Sequence, residues 1–322
     1  MFDIGLFCRY QASFDTFRRA GYSRNDAESL MIKSVQLADE ARKRFVSERE
    51  DVAHDDIRVA LSLGPFGASL SPAQEYDGYY PPPYGPKAFS ADGKNWNSFE
   101  EDDPKAEVSV DALARFHLER LHVLARREEI WQLVDCVAFE TVPLSREVKA
   151  IRTAIGMLNT EIGGEFLMKP WWISLVCPSG QFPETDRPGG SNLSIEKVSG
   201  MVFSRHSTKY PAPDAIALNC TQIDFLPGLL DKVQKGVDEV GGLAWLVLYP
   251  NGGDVYDPVS RTWIVASDTN AKNIWAETLY SIVRDAGSSP TWGGVLVGGC
   301  CRVGPEEIDA LHNMISKDNW CS

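Results

Sequence analysis

Short apolar runs recur along this chain, each followed by a stretch with helical spacing, and that alternation leaves few architectures open. Arg-Val-Ala-Leu-Ser-Leu (58–63), Leu-Val-Asp-Cys-Val-Ala-Phe (133–139) and Trp-Ile-Ser-Leu-Val-Cys (172–177) read as strands buried on both faces. Ala-Ile-Ala-Leu-Asn-Cys (215–220), Leu-Ala-Trp-Leu-Val-Leu-Tyr (243–249) and Gly-Val-Leu-Val-Gly-Gly (294–299) continue the series, and 2–10 is a weaker first strand, which makes seven. Helices fall between them. Ser23 with Asp26 forms a capping box, and Ala27, Leu30, Ala41 and Phe45 are predicted along the apolar side of the helix it opens. Ser145 opens another, with Val148, Ile151, Ile155 and Leu158 as a stripe. The last begins at Pro305, has Glu306 and Glu307 near its positive end, and is expected to turn Ile308, Leu311 and Ile315 inward. Strand-helix units without a linker favour a single β/α barrel domain over 1–322, with an open doubly wound sheet as the competing fold.

Two stretches break the rhythm. Residues 64 to about 107, with Pro-Pro-Pro-Tyr-Gly-Pro and Glu-Glu-Asp-Asp, show no helical period, so they read as a functional loop or an insert. A shorter polar stretch, 179–192, follows the strand that ends at Cys177.

Charge and cysteine usage remove several classes of function. With 32 Lys and Arg against 45 Asp and Glu, the net charge of −13 repels phosphate backbones, so no nucleic acid is expected as a partner. No apolar run is long enough for a membrane helix, and the first residues lack the basic and small-residue features of a signal peptide. A cytoplasmic protein is therefore expected, and its seven cysteines read as reduced thiols.

Some of those thiols sit where chemistry is done. Cys220 ends one strand in Leu-Asn-Cys-Thr, and Cys300 and Cys301 end the last in Gly-Gly-Cys-Cys-Arg. In a β/α barrel the C-terminal strand ends open onto one face, where active sites lie. A single buried Cys at a strand end is ordinarily packing, and an adjacent pair is by itself equally open to a disulfide. Three together favour a metal. Zinc suits them, because three thiolates leave one tetrahedral position open. A substrate thiol entering there ionises without the roughly 2 kcal/mol that a free thiol of pKa about 8.5 loses at neutral pH. No Gly-x-Gly-x-x-Gly follows any strand, which argues against a Rossmann-type nucleotide site.

These segments resemble the homocysteine S-methyltransferase family. The likeness rests on Tyr-Gln-Ala-Ser-Phe (10–14), Ser-Leu-Gly-Pro-Phe-Gly-Ala (62–68), Glu-Tyr-Asp-Gly-Tyr-Tyr (75–80), Phe-Glu-Thr-Val-Pro (139–143), Leu-Asn-Cys-Thr (218–221), Tyr-Pro-Asn-Gly-Gly (249–253) and Gly-Gly-Cys-Cys-Arg (298–302), in the family's order. The resemblance implies a zinc enzyme that takes a methyl group from S-methylmethionine or S-adenosylmethionine to homocysteine and releases methionine. It implies Cys220, Cys300 and Cys301 as zinc ligands, and Glu140 as the acid that holds the amino group of homocysteine. Gln11 falls where relatives place a polar or aromatic group facing the substrate. Tyr76, Tyr79, Tyr80 and Glu75 are candidates to meet a cationic sulfonium donor. Relatives begin with a strand bearing Asp-Gly-Gly that is missing here. The expected fold is thus a (β/α)8 TIM-type barrel, N-terminally truncated, with about seven recognisable strands. That departure leaves a second function open, a non-catalytic zinc-binding remnant. Metal-assisted hydrolysis fits less well, since three thiolates are unlike hydrolytic zinc sites rich in His and carboxylate.

Overall fold

The computed structural model describes residues 3–8, 10–162, 169–204, 211–241, 243–253, 255–257, 262–264 and 271–317. Along the chain run β1 (Asp3–Cys8), α1 (Phe14–Arg19), α2 (Arg24–Ser47), β2 (Ile57–Leu63), α3 (Lys105–Ala125), α4 (Glu128–Trp131), β3 (Cys136–Val142) and α5 (Ser145–Ile162). There follow β4 (Trp171–Val176), α6 (Ile195–Phe203), β5 (Ala215–Asn219), α7 (Leu226–Glu239), β6 (Ala244–Tyr249), a short antiparallel pair of β7 (Val255–Asp257) and β8 (Thr262–Ile264), α8 (Ala271–Gly287), β9 (Trp292–Val297) and α9 (Pro305–Lys317).

The sheet has seven strands in the order β1-β2-β3-β4-β5-β6-β9, and every neighbouring pair is parallel. Chain order equals spatial order, so the doubly wound alternative, whose order reverses at a switch point, is excluded. Side-chain alternation then divides each strand. Leu61, Leu63, Val137, Phe139, Ile173, Leu175, Ile216, Leu218, Leu246 and Leu248 point to one face and join the large core with the helices. Ala60, Ala138, Trp172, Ala215, Ala217, Val247 and Tyr249 share the other face in one cluster that reaches Leu296 and Cys300. Small residues predominate there because the inner face is concave. The curl is measurable: Glu140 on β3 hydrogen-bonds Tyr249 on β6, three strands away. In a flat sheet their backbones would stand about 14 Å apart, beyond the combined reach of the two side chains. Among the described residues β1 and β9 each have a single neighbour, so the curled sheet is open.

Several boundaries and faces differ from the sequence reading. The strand expected at 133–139 runs Cys136–Val142, because Leu133 and Val134 belong to the turn after α4 and are apolar for packing alone. The Ser23 capping box is present and Ala27 is buried as expected, yet the helix also buries Met31, Val35, Asp39 and Arg42 and leaves Leu30, Ala41 and Phe45 exposed. A buried ion pair explains the rotation: Arg42 meets Asp39 at 2.7 Å and Asp135 at 2.7 Å, so charged residues occupy the inward face. The Ser145 helix buries all four predicted residues. In α9, Leu311 is buried but Ile308 is exposed, and Glu307 turns back to accept from the Gly304 N–H at 2.8 Å.

The long segment after β2 is a built loop. One 3-10 turn, Phe66–Ser69, opens it, and Phe66 and Tyr80 pack with Val110, Leu113, Leu144 and Ala150 over α3 and α5. A fully buried network pins it underneath. Glu147 accepts from the Phe66 N–H at 2.7 Å, from the Tyr80 hydroxyl at 2.8 Å and from His117 Nε2 at 3.0 Å. Arg120 donates to the Gly64 carbonyl at 2.7 Å and to His117 Nδ1 at 2.9 Å, which leaves Nε2 to carry the histidine proton toward Glu147. The second polar stretch is stitched to the first: Asn97 accepts from the Thr185 N–H at 3.1 Å, and Arg146 of α5 bridges the two, donating to the Asn97 carbonyl and pairing with Glu184 at 3.0 Å. No helix among the described residues is long and apolar enough to cross a membrane.

Candidate metal and substrate site

At the C-terminal ends of the strands three sulfurs converge. Cys220 follows β5, while Cys300 and Cys301 lie in the turn after β9. Their Sγ separations are 2.9 Å (Cys220–Cys300), 4.0 Å (Cys220–Cys301) and 4.0 Å (Cys300–Cys301). Three thiolates on one tetrahedral zinc stand about 3.8 Å apart, given Zn–S bonds of about 2.3 Å. The donor type fits zinc and two of the three separations lie near that value, while Cys220 and Cys300 stand closer together; these are the cysteines singled out from sequence. Cys136 and Cys177 are ordinary buried thiols, each pushed up to about 12 by desolvation. Cys8 and Cys321 fall where side chains lie outside the described residues.

The sulfurs share their protons unevenly. Hydrogen bonds from Cys220 and then Cys300 pull Cys301 down to about 3, making it the thiolate of the three. Cys220 is driven well up by donating to Cys300 and Cys301 and by burial. Cys300 rises to about 12; its bond with Cys220 lowers it, but Cys301 and burial more than offset that. Proximity favours one thiolate over three, and a dication would stabilise all three as thiolates.

Glu140 stands on the inner face of β3. Ser62 Oγ donates to its Oε2, and the Tyr249 hydroxyl bonds it from across the pocket. Burial raises its pKa; those two hydrogen bonds oppose the rise and the Cys301 charge adds to it. Tyr249, also raised by burial, accepts from Trp172 Nε1 at 3.3 Å and bonds Ser174. The carboxyl is thus a buried acid with no cation among its described partners.

Two tyrosines complete the wall on the loop side. The Tyr76 hydroxyl hydrogen-bonds Cys220 and Cys301, and burial together with those sulfurs drives its pKa upward. Tyr10 bonds Thr141 and lies within electrostatic reach of Cys220 and Glu75. Its neighbour Gln11 is exposed, with no hydrogen bond from its side chain to the sulfurs among those described, and its backbone carbonyl accepts from Thr16 Oγ1 at 2.9 Å. Alternation supplied no signal here, because both residues follow the strand in a turn. Of the other loop tyrosines, Tyr80 is committed to Glu147 beneath the loop, and Tyr79 stacks against Phe89 at 6.3 Å between centroids.

A curled parallel sheet with a three-thiol cluster and a buried carboxyl at the C-terminal ends of its strands defines an α/β protein with a candidate metal centre. Comparison with known proteins narrows this. The homocysteine S-methyltransferase family matches residues 3–315, and the chain belongs to that family. It is 29% identical to homocysteine S-methyltransferase 2 of Zea mays, over 98% of this chain and 76% of that protein. It is 27% identical to homocysteine S-methyltransferase YbgG of Bacillus subtilis, covering 96% and 78%, and 28% identical to selenocysteine Se-methyltransferase of Brassica oleracea, covering 97% and 75%. Among solved structures, the homocysteine methyltransferase MmuM of Escherichia coli in its metallated form has a similar fold. The TM-score is 0.59 at 23% identity, across 97% of this chain and 79% of that one.

Proposed function

We propose that the chain is a homocysteine S-methyltransferase, moving a methyl group from S-methylmethionine or S-adenosylmethionine to homocysteine to form methionine. The observation that carries this reading is the meeting of Cys220, Cys300 and Cys301 with the buried Glu140 carboxyl in one pocket. We read the curled sheet as a TIM-type barrel domain with seven of the eight usual strands. The three cysteines would hold zinc, which supplies Lewis-acid ionisation of a substrate thiol at neutral pH. Glu140 binds the homocysteine ammonium. Its raised pKa is that of a buried acid awaiting a cation, and an ammonium restores the ionised form through a charge-assisted contact. Ser62 and Tyr249 orient the carboxylate for it.

Tyr76 and Tyr10 roof the pocket with the 64–107 loop, excluding water and presenting aromatic faces and Glu75 to a sulfonium. The homocysteine sulfur attacks the donor methyl carbon in line; the new C–S bond forms as the old one breaks, its electron pair leaving on the neutral sulfide. Alignment of the two substrates is the main contribution of the protein groups. Gln11 keeps at most a rim position in this scheme.

The test is methionine formation from homocysteine with each donor, beside zinc analysis and with selenocysteine as a second acceptor. Turnover with one sulfonium donor and about one zinc per chain is expected. Zinc binding without turnover on any pair would leave only the zinc-binding remnant, and absence of both would overturn the reading.

A further inference from the structure

Asn219 closes β5, is 1% exposed, and ties β5 to β3 and β4 through its side-chain amide. Its Oδ1 accepts from the Thr141 N–H at 3.0 Å and from Ser174 Oγ at 2.7 Å. Its Nδ2 donates to Thr141 Oγ1 at 2.8 Å and to Cys220 Sγ at 3.5 Å. The amide cannot be turned over, because a flipped group would set N–H against the Thr141 N–H. The register between β3 and β4 shifts between Phe139 and Val142, and Thr141 lies inside that break. Asn219 thus takes the N–H that the disturbed strand pairing leaves over.

The residues it holds are two of the four non-glycine residues with positive φ among those described. Thr141 has φ 58° and Cys220 has φ 48°, in the left-handed region that a β-branched residue almost never adopts unaided. Thr141 directly follows Glu140, and Cys220 directly follows Asn219. We infer that Asn219 is the positioning residue that couples the two halves of the site: one side chain holds the twist after Glu140 and the twist that presents Cys220. Its N–H also donates to the sulfur, and such an outer contact orients a metal ligand and tempers its charge.

The metal half of this inference rests on reading the cysteines as a zinc site, and the experiment separates the two. The full chain and its Asn219→Asp variant are loaded with zinc, and with cobalt(II) for its thiolate absorption bands. Chelator titration, the cobalt spectrum, circular dichroism and KM for homocysteine are then compared. Asn219→Asp keeps the shape and the acceptor oxygen but places a carboxylate oxygen against Thr141 Oγ1 and Cys220 Sγ. It is expected to lose zinc at about tenfold lower chelator, shift the cobalt bands and raise KM, with its secondary structure kept.

A second pair of variants isolates the backbone. Glycine takes positive φ without strain, so Thr141→Gly added to Asn219→Ala is expected to recover KM but not zinc retention. Failure of KM to recover overturns the coupling to Glu140. If Asn219→Asp does not fold, Ser174→Ala decides, with a two- to fivefold rise in chelator sensitivity expected and no change counting against the inference. Wild type that takes up neither metal sinks the zinc reading and this inference together. Wild type and a folded Asn219→Asp that hold zinc equally, with the same spectrum and KM, sink this inference alone.

Discussion

β3 and β9 lead to the same pocket but are held in different ways. Every residue of β3 is buried, with neighbours on both sides and with α3 and α5 packed outside it. In β9 only Trp292 is buried, and β6 is its only partner among the described residues. Glu140 is therefore placed by strand packing. Cys300 and Cys301 are placed by local clamps, since the turn that carries them hydrogen-bonds the 248–252 stretch. Gly298 N–H donates to the Leu248 carbonyl at 2.8 Å, Cys300 N–H to Pro250 at 2.8 Å, and Gly252 N–H to Cys301 at 2.9 Å. Gly252 must lack a side chain for this, because a Cβ would sit 2.5 Å from the Arg302 carbonyl oxygen. The central strand can thus supply a charged group at a buried, enforced position. The edge supplies ligands on a turn that an ion could draw together, since the sulfur spacings of 2.9 to 4.0 Å straddle the value zinc requires.

The largest expected effect lies at the three-sulfur cluster, which edge strand β9 completes opposite Cys220 at the end of β5. Cys300→Ser, and equally Cys220→Ser, should bring zinc from about one per chain to less than about a tenth of that, because two thiolates and a hydroxyl bind zinc far more weakly. Cys136→Ser and Cys177→Ser should leave zinc content unchanged. Metal analysis checks all four, and full retention in the first two would remove them from the site.

A smaller effect is expected at the centre. Glu140→Gln should raise KM for homocysteine about ten- to a hundredfold, the range for losing a hydrogen bond to a charged group, while zinc content holds. Parallel loss of zinc would show that the two regions are not separable in this way.

The smallest effect concerns acid. Burial holds the His117 pKa below 6.5, helped by Arg120 and opposed by Glu147, while bonds from His117, Phe66 and Tyr80 hold Glu147 below 4.5 against its burial. As pH falls past about 6.5 the unfolded chain binds a proton that folded His117 refuses, so stability declines; Glu147 adds the same sign below about 4.5. Thermal unfolding between pH 7 and 4 should show both steps. His117→Gln should erase the upper step and weaken the lower one, because His117 also helps hold Glu147 down, and Cys300→Ser should change neither, since the network lies under the loop that follows β2. An unchanged profile in His117→Gln would assign the acid loss elsewhere.

The strands were legible because parallel strands covered on both faces must be apolar throughout, and that pattern survives in one dimension. The three cysteines were legible for a related reason: each falls just past an apolar run, and in such sheets those ends share a face. Where apolarity served turns as well as strands, as at Leu133 and Val134, the reading slipped by three residues. Where a buried face carried an ion pair, as in α2, the reading placed Ala27 correctly but turned Leu30, Ala41 and Phe45 inward in place of Asp39 and Arg42. Tyr10, beside Gln11, was not singled out, since chain direction after a strand end is set by what packs on it.

The alternation of apolar run and helical stripe determined an α/β chain of parallel strands, and the family motifs singled out Glu140 and the cysteines, all from one dimension. Only the tertiary structure decided that β6 curls back far enough for Tyr249 to meet Glu140, and that Tyr76 rather than Tyr79 or Tyr80 faces the sulfurs. It also decided that the Asn219 amide reaches Thr141, 78 residues away in the chain. The physical reason is that periodicity records which side of an element is covered, whereas the identity of the covering group depends on strand order, register and curl, which exist only after the elements have packed.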